Sequence, residues 1–515
     1  MSKQASYTSG ACGVRSAARI GALLTLAFAA TGVAQAQQSP APPAAPATPP
    51  SQSDSLTWKG ITLYGIVDIG IQYDTHSAPF SDYFPAVTGA LVQKNDYDSP
   101  VGLSSNNLSQ SRIGLSGNEP LWGDWAGVFR LETFFNPHSG DLSDALKSVA
   151  LNNGKALTAQ QVGVDSSVAG QLFGGAAYLG VASPTIGSFT FGRNVTIVAD
   201  GISKYDPMGA AQAFSVIGYS GTAAGGGDTE DRRLDQSIKY AGKIGPIHLG
   251  ALYEFSSYPG SVDTGYQFQL GFEVAGLSAD AYYFKKYDAI SVSALSNVQV
   301  AEITNACNAD VASVTATNPP PPGGKTVPST VRCYSLSNSV AGTISDNETY
   351  SIMALYNFGA VLPVKVYAGY EHIAFDNPTN PLPVGTTIIG GYTLAAVNVQ
   401  EGAKSTYYNE KTLEVFWAGV KWNVTPDLEI TGAYYGYKQN EFANGAAVAE
   451  CAADKTKASS CSGTENAASL LLDYKLSKRF DTYFGGFWSG VQDGLANGYI
   501  NKDNIATTLG VRFKF

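Results

Sequence analysis

Few side chains able to make or break bonds are present, and their spacing does not suit the work. The four histidines, His76, His138, His248 and His372, share no HExxH spacing and compose no hydrolytic metal site. Gly324-Lys325-Thr326 has the tail of a phosphate loop, but its first glycine is missing and prolines precede it. Gly114-Leu115-Ser116-Gly117 lacks the GxSxG spacing of a nucleophile elbow and reads as strand. Cys307, Cys333, Cys451 and Cys461 fall as two local pairs in polar insertions, without a paired CxxC or a nearby histidine. In an exported chain they read as two loop-closing disulfides, and neither metal nor other cofactor is expected. What remains is charge, and it obeys a rule. Arg112, Arg130, Lys239, Lys365, Lys475 and Arg512 fall on the same face of their segments as Asp68, Glu132, Glu254, Glu273, Asp280, Glu371 and Asp473. Groups so arranged can set an electric field in water; they do not form a reaction centre.

The segments carrying these charges alternate with period two, as strands do when their faces meet different surroundings. Tyr266, Phe268, Leu270, Phe272 and Val274 oppose Gln267, Gln269, Gly271 and Glu273. Sixteen such strands are read at 61–73, 111–117, 125–134, 172–181, 188–193, 237–241, 247–256, 266–274, 278–287, 348–358, 364–375, 410–424, 428–439, 467–476, 482–491 and 505–515. Seven tight turns and eight longer loops join them in strict alternation. A soluble sandwich also has many short strands, but it does not sort its connections by length in this way. An even strand count with short turns at one rim and long loops at the other is the plan of an all-β, 16-stranded antiparallel transmembrane β-barrel, with short periplasmic turns and long extracellular loops. Closure is required, because an open edge would leave backbone groups unpaired in hydrocarbon. An Arg or Lys facing lipid at midplane costs roughly 2–4 kcal/mol, so the charged face is the inner one and the interior is expected to be wet. Arg193, Lys285 and Glu414 break the pattern near strand ends, where a bulge or the headgroup zone can hold them.

Composition agrees. The first 36 residues read as an export signal: Lys3, Arg15 and Arg19 lead a short apolar run, and Ala34-Gln35-Ala36 offers a small-x-small cleavage site. Residues 37–57 read as a Pro/Ala-rich linker and 58–515 as the barrel. Loss of the leader leaves 29 basic residues against 42 acidic ones, a formal charge of −13, which excludes a general nucleic-acid binder. No later apolar run approaches the ~20 residues of a membrane helix. Mean hydropathy near zero is what a barrel with alternate water-facing residues should show.

Several segments resemble the sixteen-stranded general porins of Gram-negative bacteria. Ile61-Thr62-Leu63-Tyr64-Gly65-Ile66-Val67-Asp68 is similar to that family's opening strand, and Ser111-Arg112-Ile113-Gly114-Leu115-Ser116-Gly117-Asn118-Glu119 to its second strand and turn. Phe129-Arg130-Leu131-Glu132 resembles the third strand. Ala177-Tyr178-Leu179-Gly180-Val181 and Gly187-Ser188-Phe189-Thr190-Phe191-Gly192-Arg193 resemble the fourth and fifth. The closing Gly510-Val511-Arg512-Phe513-Lys514-Phe515 is similar to the family's end. The resemblance implies a homotrimer in outer-membrane lipid and lipopolysaccharide, assembled by machinery that reads Phe515. It also implies a third long loop folded into each channel, here Asn194 to Asp235. That loop carries Asp200, Asp206, Asp228, Glu230 and Asp231, which the family sets against wall arginines; Arg112, Arg130 and Arg233, with Glu132 beside them, are the matching positions. Charges such as Asp231 and Arg232 read, taken alone, as solvated loop residues. Gly175 stands where the family often has an arginine, so the wall is expected to be less cationic. The insertions 288–345, 376–409 and 441–464 are long for the family and hold all four cysteines.

Three functions fit. A passive pore for small hydrophilic solutes and ions, selecting by size and charge at the third loop, accounts for most of the sequence. An outer-membrane enzyme is disfavoured by the missing triad. A receptor or adhesin would use the stapled outer loops, with the barrel as a mount. The loop acids and Gly175 lean the expected ion preference weakly toward cations.

Overall fold

Alternating lipid-like and water-like side chains put the chain into sixteen long strands. The first six are β1 (Ile61–Asp74), β2 (Arg112–Pro120), β3 (Ala126–Phe134), β4 (Ala176–Ser183), β5 (Gly187–Val195) and β6 (Arg233–Ile244). The next five are β7 (Ile247–Glu254), β8 (Gly265–Val274), β9 (Leu277–Ser293), β10 (Ser339–Asn357) and β11 (Val364–Asp376). The last five are β12 (Lys411–Asn423), β13 (Leu428–Gln439), β14 (Gly463–Lys475), β15 (Phe480–Asp493) and β16 (Asp503–Lys514). The structure is a computed structural model. It describes residues 56–76, 99–143, 172–217, 232–256, 264–293, 339–359, 362–377, 388–389, 392–395, 410–442, 448–449, 451, 461–496 and 501–515. The expected leader and most of the linker lie outside those residues.

Each strand pairs antiparallel with the next, from β1–β2 to β15–β16. β16 then returns to β1 through Ile66↔Lys514 to Asp74↔Ala506, closing the barrel. Gly65 and Phe515 exchange two backbone hydrogen bonds of 3.0 Å at the seam. Closure leaves no edge for lipid to meet. At the β8–β9 turn, Ala275 and Gly276 both take positive φ, as a type I′ two-residue hairpin requires. No helix among the described residues is long and apolar enough to cross a membrane; the strands do the crossing.

All sixteen expected strands are present, with corrections at their ends. β6 begins at Arg233, and β9 and β10 run to Ser293 and from Ser339, so part of the insertion expected at 288–345 is strand. A register shift between Lys286 and Ala289 lets that hairpin continue. Among the described residues, four short strands were not foreseen: Leu56–Trp58, Val101–Ser105, Ile388–Ile389 and Tyr392–Ala395. Val101–Ser105 has a clear cause. β2 is short and meets β1 only as far as Ile66, so the end of the first long loop pairs with Ile69–Tyr73 above it.

Outward side chains are aliphatic or aromatic: Leu179, Leu270, Ile352 and Leu470 are all more than half exposed on the outer face. The three sequence exceptions find separate solutions. A register shift between Gly192 and Asn194 turns Arg193 into the barrel, where Asp235 meets it at 2.7 Å. Lys285 pairs with Glu348 at 3.0 Å, and Glu414 with His372 at 2.7 Å.

The interior departs from expectation. It is not uniformly wet: inward Phe284, Met353, Phe375, Leu413, Val415, Trp417, Tyr435 and Tyr483 are buried in a continuous apolar cluster. Their partners are Ile197, Val198, Ile202, Met208, Phe214 and Ile217, from the third long loop.

Candidate functional site: the inner wall and the third loop

The third loop leaves β5 through a helix, α1 (Ile197–Tyr205). Thr196 caps it by accepting the amide of Ala199, and Asp200 and Lys204 stand at the ends the helix dipole favours. Gln267 of β8 accepts the amide of Ile197 at 2.8 Å, so the helix N-terminus is fixed to the wall. Gly201 lets the helix lie against Tyr282, whose ring atoms a Cβ there would meet at 2.5 Å. At the other end, Trp417 Nε1 donates to the Tyr205 carbonyl at 3.0 Å, and the Tyr205 hydroxyl donates to Asp280 at 2.6 Å.

The chain then turns. Asp206 accepts the Tyr435 hydroxyl at 2.6 Å and the amides of Met208 and Ala210. Burial pushes its carboxyl above the ordinary aspartate range, against the pull of these donors and Ser215. Beyond the turn, Phe214 lies over Gly485 of β15, where a Cβ would meet its ring at 2.5 Å. The described part of the loop therefore runs along the inner face from β5 past β9 and β12 to β15.

A second group of residues gathers on β1–β6. Glu132 is the hub. Arg130 pairs with it, Arg112 Nη1 lies 3.6 Å from it, and the Tyr64 hydroxyl donates to it at 3.0 Å. Arg130 Nε donates to the Tyr64 hydroxyl at 2.7 Å. Gly114 makes room for the Tyr64 ring, since a Cβ there would lie 2.2 Å from its Cζ. The guanidiniums of Arg112 and Arg233 both lie over Phe134, at 5.9 and 4.7 Å from its centroid. The glutamate side chain is only 2% exposed, whereas Arg112 is 25% exposed and Arg130 16%. The carboxylate thus pins the cations from behind, and positive charge meets the water.

Four of the expected site residues, Arg112, Arg130, Arg233 and Glu132, are brought together. Asp200 and Asp206 are not ion-paired with these arginines. Asp200 forms its ion pair with Lys239 of β6, and Asp206 is buried against Tyr435. Asp228, Glu230 and Asp231 lie outside the described residues. Beside Gly175, where a less cationic wall was expected, Arg233 donates to the Gly175 carbonyl at 2.8 Å. A Cβ at Gly175 would lie 2.5 Å from a Glu132 oxygen. Arg193, read from sequence as an exception that a bulge can hold, is turned inward by one; sequence reading missed Lys239 as the partner of Asp200. Of the expected disulfides, Cys451–Cys461 is formed with Cα atoms 5.3 Å apart; Cys307 and Cys333 lie outside the described residues.

A closed sixteen-stranded barrel with a greasy outer belt, a charged inner wall and a loop laid along its inside defines a membrane-spanning β-barrel of the porin class. Over residues 22–487 the chain matches the Gram-negative porin family, and it belongs to that family. It is similar to an outer membrane porin protein of Bordetella pertussis, with 28% identity over 200 residues, 38% of this chain. That match spans 43% of the relative's length. Among solved structures, an anion-selective porin from Comamonas acidovorans superposes with a TM-score of 0.53 at 17% identity, over 88% of this chain and 99% of that one. OmpT of Vibrio cholerae aligns over 90% of this chain and 100% of its own, with 12% identity and a TM-score of 0.49. Family and fold together place the protein in the outer membrane.

Proposed function

We propose that the protein is a passive channel for small hydrophilic solutes and ions, narrowed between the third loop and the β1–β6 wall, and that the narrow section favours anions. The observation that carries this reading is the arrangement around Glu132. One shielded carboxylate holds Arg112 and Arg130, with Arg233 beside them, while the nearest described loop acid, Asp200, is spent on Lys239. Fixed charges in a confined opening with low-dielectric walls act far more strongly than the same charges on an open surface. The protein's overall negative charge therefore does not set the sign at the opening.

The anion preference reverses the lean drawn from sequence, which rested on net negative charge, five loop acids and Gly175; of those acids Asp200 is paired with Lys239 and Asp206 is buried against Tyr435. The Comamonas acidovorans porin is described as anion-selective, but a likeness at that identity supports the fold alone. The sign here rests on this chain's own residues. The guanidiniums of Arg112 and Arg233 over the Phe134 ring add pre-organisation, since cations held at a ring face need little rearrangement to meet a passing anion. Assembly as a homotrimer, processing of the leader and recognition of Phe515 belong to the same reading.

Planar-bilayer recording under a KCl gradient tests it. An anion-selective reversal potential and conductance in three equal steps are expected. A cation-selective potential would sink the charge assignment, and absence of conductance would sink the channel. A receptor that uses the outer loops would keep its ligand binding with the barrel blocked, which a pore would not.

A further inference from the structure

The end of the first long loop enters the barrel. Asn106 takes a positive φ of 65°, and its side-chain oxygen accepts the Ser111 amide at 2.7 Å, tightening 106–111 into a turn on the inner face. Asp68 of β1 holds that turn from beneath, accepting the amides of Leu108 and Ser109 at 2.8 Å each. Tyr483 of β15 donates to the same carboxylate and accepts from the Asn107 side chain at 2.9 Å. The seat is cut by two facing glycines, Gly70 and Gly510. A Cβ on Gly70 would lie 2.7 Å from Asn107 Nδ2, and one on Gly510 would lie 2.2 Å from the Tyr483 hydroxyl.

The turn reaches both sides of the narrow section. Its Asn107 carbonyl accepts the amide of Ala213 at 2.8 Å, fixing the described part of the third loop beyond the Asp206 turn. Gln212 donates to Gln110 Oε1 at 3.0 Å. Gln110 in turn donates to Ser143 at 2.8 Å, and its backbone carbonyl accepts Arg112 Nε at 3.1 Å. One partly exposed residue therefore bonds the third loop on one side and the arginine wall on the other.

We propose that Gln110 is a positioning and selectivity-determining residue, and that 106–111 is a second jaw of the opening, so that two loops rather than one set its size and sign. This rests on the reading that the narrow section lies at the Arg112 wall. The first loop orients Arg112 and holds the third loop at a set distance from it. Changing Gln110 then alters permeation in two separable ways, by charge and by tethering.

Gln110→Glu keeps the shape and can still accept from Gln212, but it places a carboxylate beside Arg112. A unit charge several ångströms from the ion path in water changes the partitioning of each ion roughly two- to threefold, disfavouring anions and favouring cations. Gln110→Ala and Gln212→Ala each break the bridge without adding charge, and both should give noisier open-channel current with more frequent voltage-driven closures. Full-length variants, checked for heat-modifiable mobility as folded barrels, are recorded in bilayers beside Arg112→Ala. If Arg112→Ala moves the reversal potential while Gln110→Glu leaves it in place and both alanine traces match the parent, the second jaw is refuted and the arginine wall stands. If Arg112→Ala also leaves the potential unmoved, the underlying placement of the narrow section fails. Gln212→Ala, on the other loop, keeps the question open to decision should a Gln110 variant fail to assemble.

Discussion

The inner wall of the barrel has two halves with opposite chemistry. On β1–β6, inward positions carry Arg112 and Arg130 paired with Glu132, Arg193 paired with Asp235, and Lys239 paired with Asp200. On β9–β15, the equivalent positions carry Phe284, Met353, Val415, Trp417, Tyr435 and Tyr483, buried beneath the third loop. Both halves obey the same alternation, and both have greasy outer faces. The difference lies in what covers them: partly exposed charge remains at Arg112 and Arg130 in one half, and the third loop buries the apolar wall of the other. An apolar inner wall is stable only because the loop covers it, and the loop stays folded only because the wall gives it a surface to bury.

The contrast breaks most severely at Trp417, which is 2% exposed and bonds the Tyr205 carbonyl. Trp417→Ala should cost about 3–5 kcal/mol, the usual loss for a buried aromatic, and the loss falls on loop docking because the lipid-facing belt is untouched. A higher conductance and faster proteolysis within the third loop are expected while the barrel stays heat-modifiable. Unchanged conductance and unchanged cleavage would mean that the loop does not depend on this wall.

The charged half is tested by removing two of its cations. Arg112→Ala with Arg233→Ala should carry the KCl reversal potential toward the cation side, each charge ~4 Å from the ion path changing the partitioning of each ion by up to about fivefold, in opposite directions for anion and cation. A potential that stays put would assign selectivity elsewhere. A gentler version releases an acid. Lys239→Gln leaves Asp200, 36% exposed, without its ion-pair partner, and should move the potential the same way by roughly twofold. Movement toward anions would show that Asp200 does not face the permeating ions.

The two halves were not equally legible in the sequence. Strand number, order and most boundaries could be read, because lipid imposes period two on every outward position from Leu63 to Phe513 and tolerates few exceptions. Arg112, Arg130 and Glu132 could be placed inward by the same rule. The apolar half could not. In β12, Leu413, Val415 and Trp417 alternate with Phe416, Val420 and Trp422, so both faces read as greasy and only the loop's path tells them apart. The partners of Asp200 and Asp206 were hidden for the same reason, since they depend on where a long connection lies. The bulge at Arg193 and the re-entrant turn at 106–111 have weak local signals: a glycine with positive φ in one, and an Asn-Asn pair in the other.

The smallest effect on permeation is expected furthest from both walls, and it separates the pore from a receptor. Cys451 and Cys461 close a local ring with a sequence separation of 10, and a disulfide of that span stabilises by about 2–3 kcal/mol in the chain-entropy account. The ring sits between β13 and β14, where Gln439 donates to the Cys461 carbonyl at 2.7 Å. Nothing in that contact touches Arg112, α1 or the 106–111 turn. Cys451→Ser with Cys461→Ser should therefore lower the temperature at which the barrel unfolds in detergent, while conductance and reversal potential match the parent. A changed reversal potential would bring the outer loop into the selecting section and dissolve the division of labour between the two walls. Ligand or cell binding lost together with the ring, at unaltered conductance, would instead assign the outer loops a role of their own.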